Sequence, residues 1–204
     1  MFPKILPHES LRHPVAASNL VATSQPLAVQ AGLQALRLGG NAVDAALSAA
    51  ITLTVVEPTG NGVGSDAFAL VWDGSRLHGI NGSGRSPKAW TPSYFSDYDS
   101  MPQFGWDSVT VPGAVDLWRC LSAQFGKLEF EQLFESAIHY AEKGFLVGFR
   151  TAFDWNNGPA EWYQDFPEFR KTFLPAPQVG ERYFRSDLAK TLRTLSRDPR
   201  SMYD

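Results

Sequence analysis

Apolar and polar positions follow a helical period early in the chain. Ala28, Ala31, Ala35 and Leu38 fall on one face at helical spacing, a narrow stripe suited to close packing. Ser24, with Pro26 in the following turn, predicts the helix start, since proline is tolerated where amides lack helical partners anyway. Gly39-Gly40 predicts its end, because glycine takes the left-handed geometry without a side-chain clash. Asn41 is placed to cap a second helix, and Asp44 three residues on supplies the acid favoured near a positive helix end. Ala45, Ala46, Ala49 and Ala50 keep that helix thin enough to lie close against a sheet or a neighbouring helix.

The period then shortens. Phe68 to Trp72 and Leu77 to Ile80 read as strands flanking Asp73-Gly74-Ser75-Arg76, the turn chemistry of a β-hairpin. Val109-Thr110-Val111 is a third short strand candidate, stopped by Pro112-Gly113. Helical patterns return from Ala114 to Phe125, ended by Gly126, and from Glu129 to Lys143, ended by Gly144, with Leu133, Ala137 and Tyr140/Ala141 on one face. Thr151 to Gln178 is rich in aromatics and proline and reads as irregular or short helical structure. Ser186 to Leu195 forms the last helix, capped by Ser186 with Asp187 in its first turn. No strand or domain-closing element is expected between there and Asp204. Without repeats, low-complexity tracts or linkers, residues 1–204 read as a single α/β (α+β) domain whose layers are incomplete.

Composition narrows the function classes. Hydrophobic residues at 44% and charged residues at 19% describe a globular chain. A net charge of −3 gives no electrostatic case for nucleic acid or an anionic membrane surface. Cys120 is the single cysteine, and its place in an apolar helical pattern predicts a buried core thiol. The N-terminal residues carry no apolar core of signal-peptide length, and Ala45 to Val56 is too short to span a bilayer. A cytoplasmic location follows as the expectation.

Nucleophile and metal chemistry does not assemble from these residues. His8, His13, His78 and His139 lack metal spacing, and no serine elbow occurs. His78, within a strand pattern, reads as a satisfied or surface histidine. Glu161-Trp162-Tyr163 could line a groove, although aromatics by default pack. The loop Gly60-Asn61-Gly62-Val63-Gly64-Ser65 invites a phosphate-loop reading, but helix precedes it and strand follows, the reverse of the order that aims helix-end amides at an anion. A tight crossover is the plainer reading.

Three segments together carry a resemblance. Ala22 to Pro58 running into the glycine-rich loop and an apolar strand, Asn81-Gly82-Ser83-Gly84-Arg85-Ser86-Pro87 after the hairpin, and Val109-Thr110-Val111-Pro112-Gly113-Ala114 are similar to the start of the large subunit of the gamma-glutamyltranspeptidase family. Leu128 to Phe145 and Val179 to Leu195 also fit large-subunit segments, and the resemblance runs from about Ala22 to Tyr203. The family belongs to the N-terminal-nucleophile hydrolases. The resemblance implies a four-layer αββα sandwich, here truncated before the small subunit. It also implies a catalytic threonine beyond position 204, released as a new N-terminus by self-cleavage, so no catalytic residue lies within the chain.

What the resemblance implies about binding centres on the second segment. In glutathione-processing members an arginine there holds the glutamyl α-carboxylate, and matching outward from Pro87 places Ser83 at its position, with Arg85 two residues later. This form looks like a divergent branch containing acyltransferase-like proteins and cephalosporin acylases. A guanidinium makes a two-pronged bond to a carboxylate that serine cannot replace. If the segment were extended, positions 83 and 85 would share a face, letting Arg85 reach the substrate acid from a displaced position. Alternatively Arg85 makes a structural ion pair or caps carbonyls. The implied partners are a small-molecule γ-glutamyl or acyl-amide substrate and the small subunit of the same precursor, with processed heterodimers forming a homo-oligomer. No cofactor or metal is called for. Exported relatives make a periplasmic or extracellular location the alternative. A stand-alone, non-catalytic α/β module is the competing reading.

Overall fold

A computed structural model describes residues 15–158 and 166–204, so the aromatic run at 161–163 and residues 1–14 lie outside the described residues. Helix α1 spans Pro26–Arg37 and α2 spans Ala42–Val56, packed along one another. The start of α1 differs from expectation. Gln25, one residue later than Ser24, is the N-cap, and its side chain accepts the Leu27 amide. The Ser24 hydroxyl donates instead to Glu57 at 2.7 Å. At the other end Gly39, at φ 93°, donates to Leu36 O and Gly40 to Ala35 O, the paired bonds of a Schellman ending. Ala28, Ala31 and Ala35 are buried as expected, but Leu38 is exposed because the chain has already left the helical path.

Helix α2 is the centre of the core. Ile51, Thr52 and Val56 are wholly buried, and Thr52 and Thr54 donate to carbonyls of their own helix. Its start is capped by Asn41 as expected, and the cap is reciprocal: Asn41 Oδ1 accepts the Val43 and Asp44 amides, while Asp44 Oδ2 accepts the Asn41 amide.

Strands β1 (Ala67–Trp72) and β2 (Leu77–Gly82) form the expected antiparallel hairpin, with Ala67 opposite Gly82 and Trp72 opposite Leu77. Asp73 Oδ1 accepts from the Ser75 and Arg76 amides and from the Ser75 hydroxyl, which sets the turn. Ala69, Val71 and Ile80 pack on the core. The opposite face is apolar too, with Phe68 68%, Leu70 75% and Trp72 64% exposed. No third strand forms at 109–111, which runs beside residues 83–85 through only one backbone bond.

Helix α3 spans Ala114–Phe125 as expected. The single helix expected at 129–143 is two pieces, a 3-10 turn at Phe130–Phe134 and α4 at Glu135–Lys143. Phe130 and Phe134 stack edge to face at 5.0 Å, and the tighter turn puts Leu133 and Phe134 fully into the core. Strand β3 (Phe145–Leu146) pairs antiparallel with β4 (Arg182–Tyr183). Between them, among the described residues, lie two short helices, α5 (Phe149–Asn156) and α6 (Pro167–Phe173). Helix α7 (Ser186–Arg197) packs on α4, burying Ala189, Leu192 and Leu195. Arg185, not Ser186, is its N-cap residue, and no side chain caps the end. A 3-10 turn, Pro199–Met202, follows. Cys120 is half-buried, with Arg119 Nη2 3.5 Å from its sulfur, so it is not a core thiol. Among the described residues the sheets are two-stranded ladders, so a full sandwich layer is not present within them.

Candidate functional site

The three loop segments singled out in the sequence meet at the N-terminus of α3. Helix α3 has no side-chain cap. Its amides at Gly113 and Ala114 both donate to the carbonyl of Ser65, at 3.2 and 3.0 Å. Ser65 in turn is folded back onto Gly62, through its amide and its hydroxyl. The glycine-rich loop therefore acts as a helix cap made of backbone, its Ser65 carbonyl occupying two of the amides at the start of α3.

The Arg85 loop lies against the same junction. Val111 donates its amide to Arg85 O at 2.9 Å, and Thr110 Oγ1 donates to Ser83 O at 3.3 Å, close also to Asp66 Oδ1. The backbones touch so closely that side chains are excluded. A Cβ on Gly113 would stand 2.1 Å from Gly82 O, and one on Gly84 1.8 Å from Val111 O. Gly84 also has φ 74°, so residues 83–85 are not an extended strand, and the expected sharing of a face by extension does not apply. Ser83 is half-buried, with its amide held by Asn81 Oδ1 at 2.9 Å. Arg85 is exposed. Among the described residues its side chain makes no hydrogen bond, ion pair or ring contact, so the structural ion pair considered for it is not formed there.

Between Arg85 and Val111 the chain makes a long excursion with its own aromatic centre. Phe95 stands 5.4 Å from Trp90, 5.0 Å from Tyr94 and 5.7 Å from Tyr98. The phenols of Tyr94 and Tyr98 donate to the two oxygens of Asp107, each at 2.7 Å. Those bonds hold the Asp107 carboxyl below the usual carboxylate range, the Tyr98 bond first, and push both phenols up. Sequence reasoning missed this clamp and the Ser65 cap. Loop tyrosines and an aspartate at irregular spacing carry no periodic signal, and a carbonyl cap is independent of side-chain identity.

His78 does not join the cluster. Its Nε2 is 2.6 Å from Asp73 Oδ2 and its ring stands edge-on to Phe125 at 4.9 Å, which ties the hairpin turn to α3. The His78 bond is the largest of the contacts that hold Asp73 below its ordinary range. Among the described residues no group of three His, Cys, Asp or Glu side chains could hold a metal ion, and no helix is long and apolar enough to cross a membrane.

The arrangement of helices and hairpin matches part of the N-terminal-nucleophile hydrolase fold of the gamma-glutamyltranspeptidases and acylases. The family model for gamma-glutamyltranspeptidase matches residues 28–204, and the chain belongs to that family. The glutathione hydrolase-like YwrD proenzyme of Bacillus subtilis is 33% identical over 195 residues, covering 93% of this chain and 37% of the relative. Cephalosporin acylase from Bacillus halodurans superimposes with a TM-score of 0.82 at 40% identity, covering 95% of this chain and 40% of that one. The gamma-glutamyltranspeptidase of Pseudomonas nitroreducens, solved with L-DON, gives 0.84 at 26% identity, covering 93% and 58%. The chain thus spans about two fifths of the length of the first two.

Proposed function

We propose that residues 1–204 are the leading part of the large subunit of an autoprocessing amide hydrolase or acyltransferase. Its donors are γ-glutamyl or related acyl amides. The attacking group is a threonine hydroxyl at the N-terminus of the small subunit, outside these residues. It transfers its proton to its own α-amine and forms an ester to the acyl group as the amide C–N bond breaks. The leaving amine takes up the proton, and water or an amine acceptor then releases the acyl group. The residues described here supply walls of the donor pocket, with Arg85 as the carboxylate-binding cation and Ser83 as a nearby hydroxyl. They do not turn over substrate alone.

One observation carries the reading: an exposed guanidinium without a partner among the described residues, on a loop whose backbone is fixed at both ends. A structural arginine would be expected to spend its donors on carbonyls or carboxylates. The bare apolar face of β1–β2 supports a covering partner, since contiguous exposed apolar surface marks an interaction site. The proenzyme relatives supply the reason to look for that partner in the same precursor.

Arg85→Ala in the complete precursor tests the assignment. Loss of a charge-assisted carboxylate contact is expected to raise the Michaelis constant at least about tenfold for carboxylate-bearing donors, and to leave donors without that group unaffected. Unchanged constants for every carboxylate-bearing donor would reduce Arg85 to scaffolding.

A further inference from the structure

Residues 86–110 leave the fold at Arg85 and return at Val111, and the hydrogen bond between those residues closes the base. Among the described residues, no hydrophobic side chain of this lobe belongs to the hydrophobic core or packs against it. Within it, rings cluster around Phe95 and two phenols bond Asp107. Asp107 lies in the 3-10 turn Trp106–Ser108, which is closed by the Ser108 amide and hydroxyl on Gly105 O and by the Val109 amide on Trp106 O. Immediately after that turn come Thr110, which holds Ser83 O, and Val111, which holds Arg85 O.

Building on the assignment of Arg85, we propose that Asp107 is a positioning residue for the donor site. Its clamp fixes the returning stem of the lobe, and the stem fixes the backbone from which the guanidinium projects. The carboxylate has an oxygen for each phenol, so one ionised group joins both turns of the outgoing arm to the returning one. Because the lobe stands apart from the core, loosening it costs little global stability. It misplaces Arg85, and misplacement of a binding group is read as weaker donor capture.

The experiment uses the complete, processed enzyme and a carboxylate-bearing γ-glutamyl anilide. Asp107→Ala, the Tyr94→Phe/Tyr98→Phe pair, Arg85→Ala and Asp107→Ala combined with Arg85→Ala are compared for KM, kcat and Tm. Asp107→Ala and the paired Phe variant are each expected to raise KM about fivefold, with kcat and Tm nearly unchanged, less than the full loss of a charged hydrogen bond because the effect reaches Arg85 only through the backbone. Asp107→Asn, which keeps one acceptor oxygen, is expected to recover part of the loss. The combined variant should match Arg85→Ala alone, since both changes act through one group. If Arg85→Ala raises KM and Asp107→Ala does not, the clamp proposal is wrong and the Arg85 assignment stands. If Arg85→Ala has no effect, both fall. Additive effects, or kcat and Tm dropping together with KM, would also overturn the clamp as a positioning device. Should Asp107→Ala fail to fold, the paired Phe variant keeps the ring packing and decides the matter.

Discussion

Arg85 and Val111 are joined by a 2.9 Å backbone hydrogen bond, and Gly84 beside it holds φ 74°. The bond brings the second and third sequence motifs together, although twenty-odd residues of loop separate them, a closure that grows costlier with loop length. It depends on a residue without a side chain.

Gly84→Ala is therefore expected to break the junction. The new methyl carbon would stand 1.8 Å from Val111 O, and the backbone angle is one that L residues rarely adopt. Strain alone costs about 1–3 kcal/mol, and the clash must be relieved by separating the loops. Steady-state kinetics on the complete enzyme should show a raised KM for the donor together with a lowered Tm. A variant with wild-type values for both would mean the two loops are not coupled.

A second prediction concerns Asp44, which is fully buried. Its carboxylate accepts the Asn41 amide at 2.8 Å and the Lys127 amide at 3.0 Å, with Leu128 at 3.4 Å. Asn41 Nδ2 reaches Phe125 O from the same cap. The start of α2 and the end of α3 thus share one hub. Asp44→Ala leaves buried amides without acceptors, at about 1–3 kcal/mol each, so a loss of at least about 3 kcal/mol is expected by urea denaturation. Asp44→Asn should fall between, since it keeps one acceptor and adds an opposed donor.

What was legible in the sequence follows from how local each determinant is. The Asn41–Asp44 cap, the Gly39 ending and the Asp73–Arg76 turn involve neighbours along the chain, and all three form as expected. Ser24 is a good capping residue that lost to tertiary context, being drawn to Glu57, whereas Ser186 is already the first residue inside its helix. The break at Phe134 was invisible because 3-10 and α patterns share nearly the same spacing over one turn. Arg85 and Ser83 could be named from their motif, but their backbone geometry rests on Gly84 meeting Val111, a contact no local pattern encodes. The Asp107 clamp lay wholly beyond reach for the same reason.

Acid sensitivity provides a third prediction. Asp187 accepts two bonds from Arg185, at 2.9 and 2.7 Å, and this contact holds its carboxyl down at about 2. Unfolded aspartate titrates near about 3.9. A depressed folded value means the contribution is fully present above the unfolded value and is lost as pH falls through about 4 toward 2. Much of Asp187 faces solvent, so the effect is screened by salt. Asp187→Asn should flatten the stability profile over that acidic window and leave a constant small deficit above about pH 5. Denaturation midpoints measured from pH 2 to 7 check it, and parallel curves for both proteins would show that the pair contributes nothing.

The last prediction separates a pocket wall from a catalyst. Residues 1–204 purified alone are expected to release no p-nitroaniline from a γ-glutamyl anilide, because the described residues assemble no nucleophile and base. His78 is turned onto Asp73, and the amide and carbonyl of Ser83 are engaged by Asn81 and Thr110. The same fragment should bind a hydrophobic dye strongly, since Phe68, Leu70 and Trp72 present one uncovered face. Replacing Phe68 and Leu70 by serine should reduce that binding without unfolding the helices, whose core lies on the opposite side of the hairpin. The complete precursor should bind little dye and hydrolyse the anilide. Turnover by the fragment would place the attacking group among these residues, and strong dye binding by the active precursor would mean that the hairpin face is not where the rest of the enzyme rests.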